Sequence, residues 1–242
     1  MHTSSHLYYH DAQALHGHLV YDPASTTKRP AVLVIHDWSG RNAFACQKAD
    51  ALADLGYVGF AVDMYGDGCL GETNEEKQAL MKPLLEHREV LQARILAAFH
   101  AVAALPMVDP HRIAVIGFCF GGLCALDLAR SGAPIASAVS FHGLLSKPTS
   151  MINKTIHANI FVLHGHEDPM VSPADVQVFC DEMTDAGVDW QVHVYSQTQH
   201  AFMNPAAHDT ALGTIYQPRS ERRAWQAMTH FLTEQFNPPS RP

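Results

Sequence analysis

Charge and cysteine are scarce in this chain, and it has no long apolar run. Only 17% of the 242 residues are charged, and 16 lysines and arginines face 24 aspartates and glutamates. A net charge of −8 excludes a general attraction to phosphate, so neither nucleic acid nor an anionic membrane surface is expected as a partner. The five cysteines (Cys46, Cys69, Cys119, Cys124 and Cys180) are odd in number and lie in apolar segments. They suit a reducing compartment better than a disulfide framework, and a cytoplasmic location is expected. The first residues, Met1 to His6, lack the basic stretch and apolar run of a secretory signal. The longest apolar stretches, near Ile95–Leu105 and Ile113–Leu126, are too short or too broken by glycine to span a bilayer. Linkers and repeats are missing, apart from a short Pro/Ser tail from Asn237, so residues 1–242 are expected to form one domain.

Metal-binding signatures are missing too, despite 17 histidines. His164 and His166 form H-x-H, and His36 and His142 each end an expected strand, yet neither H-E-x-x-H nor C-x-x-C occurs. These histidines are read as surface groups or hydrogen-bonded core residues. No metal and no cofactor are expected.

What the chain does have is a regular alternation of strand and helix patterns. Strands are expected at Leu15–Tyr21, Ala31–His36, Val58–Val62, Ile113–Gly117, Ala136–Phe141, Ile160–His164 and Gln191–Tyr195. Several are almost continuously apolar, as in strands covered on both faces. Helical patterns lie near Ala43–Leu55, Asn74–Leu105, Gly122–Arg130, Pro173–Ala186 and Arg219–Gln235. Such a series implies an α/β fold, a mostly parallel twisted sheet with helices on both faces and the first strand or two as an antiparallel edge. Sheets of this kind carry their chemistry at the carboxyl ends of the strands.

One strand-to-helix junction stands out. The apolar segment Arg112 to Ile116 runs into Gly117-Phe118-Cys119-Phe120-Gly121-Gly122, and a helical pattern follows. A side chain bracketed by glycines at a tight turn projects above the sheet, so the G-x-C-x-G-G motif reads as a nucleophile elbow carrying a thiol. Two further residues follow strands as partners should: Asp168 after Ile160–His164 and His200 after Gln191–Tyr195. The order Cys, Asp, His is that of α/β-hydrolases. His200 would take the thiol proton and later deliver it to the leaving group, with Asp168 fixing its tautomer. Glu167 and Asp175 compete for the acid role but stand less well relative to the strand end. An oxyanion hole is expected from the Phe120 N–H and, on the loop His36-Asp37-Trp38-Ser39-Gly40, from the Trp38 N–H.

With these residues in place the chain resembles the dienelactone hydrolase family of α/β-hydrolases. The resemblance rests on Pro30–Gly40 with Asn42-Ala43-Phe44, on Gly56-Tyr57 to Asp63-Met64-Tyr65-Gly66, on the elbow, on His164–Pro169 and on His200-Ala201-Phe202. It implies an α/β-hydrolase fold, a Cys119–Asp168–His200 triad and hydrolysis of a small-molecule ester or lactone through a thioester acyl-enzyme. It also implies a thiol-contacting acid, with Asp37 standing where well-known members carry Glu. Members that cleave dienelactone hold its carboxylate with arginines, one of them shortly after the histidine. Here that position is Asn204, and Gly66–His87 offers Lys77 and Lys82 but no arginine. Tyr65, Phe202 and Asn204 are the expected substrate-pocket residues, and a monomer or small homo-oligomer is expected.

Two other functions compete. Cys119 could be a peroxide-reactive thiol with Cys124 as its resolving partner, although Cys124 would sit early in the helix, facing the sheet, which makes a disulfide awkward. The fold could also serve a non-catalytic binding protein. A nucleotide-binding G-x-G-x-x-G fails because Cys119 stands where a glycine is needed.

Overall fold

The computed structural model describes residues 1–148, 151 and 153–237. The Pro/Ser tail expected after Asn237 lies outside them. Eight strands build one sheet: β1 (His2–His10), β2 (Gln13–Tyr21), β3 (Arg29–Ile35), β4 (Val58–Val62), β5 (Val108–Phe118), β6 (Ser137–Phe141), β7 (Asn159–Gly165) and β8 (Trp190–Tyr195). Their spatial order is β1-β2-β4-β3-β5-β6-β7-β8. The β1–β2 and β2–β4 pairings are antiparallel and all others parallel, in agreement with the expected edge.

The central strands β3, β4 and β6 are buried almost throughout, which explains their unbroken Val/Ile/Ala/Phe character. One face of the sheet packs against α2 (Asn74–Glu86), α3 (Arg88–Ala103), α4 (Phe120–Arg130) and α5 (Pro173–Asp185). The other face is covered by α1 (Ala43–Asp54) and α6 (Pro218–Phe236). All eleven residues of α4 are buried, the mark of a helix enclosed by its own protein. No helix among the described residues is long and apolar enough to cross a membrane.

Three elements of the fold depart from the expected pattern. The strand β1 was not expected, because its exposed residues alternate with half-buried ones and leave no apolar run. It is held by a tight turn in which Asp11 adopts φ 51°, and by Tyr8, whose hydroxyl donates to the Asp63 carbonyl at 3.1 Å. The expected single helix over Asn74–Leu105 is two helices, broken at His87. Pro83 removes one intrahelical donor. Beyond the break, Arg88 turns inward so that its Nε donates to Asp127 of α4 at 2.6 Å. The segment after His200 also holds a short hairpin, β9 (His208–Asp209) and β10 (Thr214–Ile215), too brief for periodicity to reveal.

Candidate active site

The elbow forms because two chain segments must come closer than side chains allow. A Cβ on Gly121 would collide with the carbonyls of Ile35 and His36, and one on Gly117 with the Gly121 carbonyl. Only glycine lets α4 seat itself directly on β3 and β5. Between them Cys119 caps α4 with φ 54° and ψ −114°, a conformation that costs a residue bearing a side chain about 1–3 kcal/mol and is kept where surrounding structure dictates it. Its own N–H donates to the Phe141 carbonyl at 3.0 Å, tying the turn to β6. The sulfur is left half-exposed at the N-terminal end of a helix.

His200 is fixed from both sides by the small hairpin. Its N–H donates to the Gly213 carbonyl at 3.0 Å, and its carbonyl accepts from the Ile215 N–H at 2.9 Å. Its buried Nδ1 lies 2.8 Å from Asp168 Oδ2. Asp168 sits on a turn closed by its N–H to the Gly165 carbonyl, and its Oδ1 accepts from the Met170 N–H at 2.8 Å. Its carboxylate therefore both caps the loop and orients the imidazole. The two competing acids are otherwise placed: Glu167 is exposed, and Asp175 closes a capping box with Ser172 at the start of α5.

The remaining nitrogen, His200 Nε2, has no well-formed hydrogen bond among the described residues. Cys119 and His200 line the same cavity. Burial alone would depress this imidazole, but the Cys119 thiolate and the Asp168 carboxylate outweigh it and push its pKa up to about 10. A proton is thus held on His200 as long as the sulfur carries the negative charge.

A cavity of about 490 Å³ opens above the sulfur, lined by Cys119, Phe120, His200 and Trp38 and walled by apolar groups such as Met81 and Leu144. Phe120 is the first residue of α4, so its N–H has no intrahelical acceptor. The Trp38 N–H, on the loop after β3, makes none of the backbone hydrogen bonds among the described residues that fold that loop. Beneath it, the Tyr65 hydroxyl donates to the Trp38 carbonyl at 2.8 Å. Buried His36 donates from Nδ1 to the Asp37 carbonyl at 2.5 Å and accepts the Met64 N–H at Nε2 (3.2 Å). Burial lowers the basicity of His36, which keeps it in this neutral tautomer.

Three expected site residues sit differently from the sequence reading. Asp37 lines the cavity, but Oδ1 accepts from the Ser39 N–H at 2.8 Å, and no hydrogen bond among the described residues joins it to the thiol. Tyr65 and Phe202 are buried behind the cavity wall, because Tyr65 is drawn under the loop by its bond to Trp38 and Phe202 packs into the core on the α6 face. Asn204 does line the cavity. Of the two lysines considered, Lys77 faces the cavity with its ammonium 5.6 Å from the Trp38 ring centre, whereas Lys82 pairs with Glu86 at the surface. His36 is a hydrogen-bonded core residue, as its place at the end of a strand suggested, whereas His142 is buried with neither ring nitrogen hydrogen-bonded among the described residues.

The model of the dienelactone hydrolase family matches residues 17–236. Over 192 residues the chain is 27% identical to a carboxymethylenebutenolidase of Pseudomonas putida, with 77% of this chain and 80% of that protein covered. Among solved structures, one called m3DLH shares 35% identity at a TM-score of 0.91, with 98% of this chain and 99% of that one covered. A dienelactone hydrolase-like promiscuous phosphotriesterase from metagenomic libraries shares 32% identity at a TM-score of 0.92 over the same shares.

Proposed function

Since this chain belongs to the dienelactone hydrolase family and is similar to a carboxymethylenebutenolidase, we propose that it hydrolyses small uncharged carboxylic esters or lactones through a thioester formed on Cys119. The observation that carries this reading is His200, held at 2.8 Å by Asp168 and lining one cavity with a sulfur at the head of α4. In the first half-reaction the Cys119 thiolate attacks the acyl carbon. The carbonyl oxygen becomes an oxyanion stabilised by the Trp38 and Phe120 N–H groups. As the tetrahedral adduct collapses, the C–O bond breaks and His200 passes its proton to the departing alkoxide. His200 then removes a proton from water, the hydroxide adds to the thioester, and the acid leaves as the thiolate reforms.

Substrate charge follows from the cavity wall. Among its described lining residues Lys77 is the one lysine or arginine, while Asp37 and Asp209 contribute negative charge. Asn204 offers no bidentate clamp to a carboxylate. An apolar acyl or aryl group meets Met81, Leu144, Met170 and Leu212 instead. The redox alternative is weakened by Cys124, which is fully buried inside α4 with its thiol pushed well up by burial.

The test is a panel of aryl esters and lactones with uncharged and carboxylate-bearing acyl groups, extended to a phosphate triester. The Cys119→Ala variant is expected to lose roughly a thousandfold or more of turnover, and mass spectrometry of a quenched reaction to find the acyl mass on the Cys119 peptide. Undiminished turnover in that variant would refute the nucleophile. Inertness of the native protein to the whole panel would favour a binding role.

A further inference from the structure

His142 is a buried polar group beside the triad to which the proposed reaction gives no role. It follows the last residue of β6 and adopts φ 40°, in the left-handed region that side chains seldom enter. Its N–H donates to the Leu163 carbonyl of β7 at 2.9 Å, so the sheet itself sets its position. The side chain is 2% exposed and forms part of the cavity lining with Cys119 and His200. Neither ring nitrogen has a hydrogen-bond partner among the described residues. Burying two unpartnered polar atoms opposes folding, and a phenyl ring would fill the place without that penalty.

What the ring touches is the base. Its centroid lies 5.1 Å from that of His200 with the planes at 66°, an edge-to-face contact. Phe202 at 5.2 Å and Phe118 at 6.2 Å back it from the apolar side. A single hydrogen bond to Asp168 leaves the His200 ring free to pivot about that bond, and the flanking ring blocks the pivot. We propose that His142 is a positioning residue for the general base: its uncharged imidazole holds the His200 ring in the plane that joins Asp168 to Cys119 and offers a dipole to the imidazolium. This rests on the triad reading above.

The charge state agrees with that role. The charges that bear on His142 are those of His200, on the loop after β8, and His164 of β7, and Cys119 at the head of α4 lines the same cavity. Burial first, then charge on His200 and on His164, hold its basicity well below that of an ordinary imidazole. It therefore stays neutral while His200 is charged. A second cation there would repel the imidazolium and weaken the pair with the thiolate.

The experiment compares His142→Ala and His142→Phe with the native protein, each against its own Cys119→Ala background, reading kcat, KM and the ultraviolet absorbance of the thiolate across pH. In the Ala variant kcat is expected to fall about 10- to 100-fold, as for a misplaced catalytic group, with KM nearly unchanged. Less stabilised imidazolium should move thiolate formation to higher pH by about one unit. The Phe variant restores the shape without the dipole, so it should recover much of kcat while the thiolate titration stays displaced. An Ala variant with native kcat overturns the proposal, and so does a loss confined to KM with an unmoved titration, which would make His142 a substrate contact. If the Ala variant does not fold, native kcat and an unmoved titration in the Phe variant are the overturning result. Turnover surviving Cys119→Ala would instead sink the triad itself, a separate outcome.

Discussion

Replacing Asp168 by asparagine isolates the charge on the acid from its shape. The side chain is buried and accepts from His200 Nδ1 at 2.8 Å and from the Met170 N–H at 2.8 Å. An amide oxygen can still accept one of these bonds, so the loop should stay folded, but the hydrogen bond to the imidazole is no longer charge-assisted. Such a bond contributes about 1.5–3 kcal/mol, which at 1.36 kcal/mol per decade of rate becomes a fall of about 10- to 200-fold in the acylation rate. Stability should change in a pH-dependent way. The folded-state pKa of His200, about 10, exceeds its ordinary value of 6.5. The raised value contributes stability that is complete below pH 6.5 and disappears as the pH climbs through about 10. Asparagine lowers the folded value, so native and variant proteins should differ most at or below pH 6.5 and converge toward pH 10. Stopped-flow acylation by an aryl ester and urea melts at several pH values measure both. Acylation within threefold of native, or a stability gap that widens with rising pH, would show that Asp168 does not act through the charge on His200.

The other predictions concern the scaffold and the cavity. Asp127→Ala leaves the Arg88 and Arg130 guanidinium groups buried without the carboxylate that now receives bonds at 2.6 and 3.2 Å. It should cost about 3–5 kcal/mol, a fall in Tm of about 6–20 °C for a chain of this size; calorimetry showing no fall would contradict it. Gly121→Ala pushes a methyl group into the Ile35 and His36 carbonyls, and should lower stability by about 1–3 kcal/mol and spoil acylation together. Near-native activity there would mean that α4 can lift off the sheet cheaply. Asn204→Arg adds a cation to the cavity wall and should lower KM for a carboxylate-bearing ester up to about fivefold, leaving its neutral analogue unchanged. Equal effects on both esters would rule out an electrostatic cause.

Local pattern carried most of the architecture. Strands β3, β4, β6 and β7 follow apolar runs because parallel strands covered on both faces need such residues, and the elbow is legible because the close approach of α4 to β3 and β5 admits only glycine. Asp168 and His200 could be chosen because position after a strand filters the acids and histidines of the chain. The break between α2 and α3 was hidden, since the pull of Arg88 toward Asp127 acts across 39 residues and leaves no mark on helical periodicity. Strand β1 was hidden too, because an edge strand with one exposed face keeps little apolar contrast.

By itself the sequence determined the order of elements, the thiol at the strand-to-helix turn and the placing of Asp168 and His200 after their strands. All of these follow from short-range spacing and backbone sterics. Only the tertiary structure decided which residues meet: that Asp37 caps its own loop, that Tyr65 and Phe202 stand behind the wall, and that His142 lies against His200. Side-chain direction at a strand end depends on what the neighbouring strands and helices leave open. That space is set by residues far away along the chain.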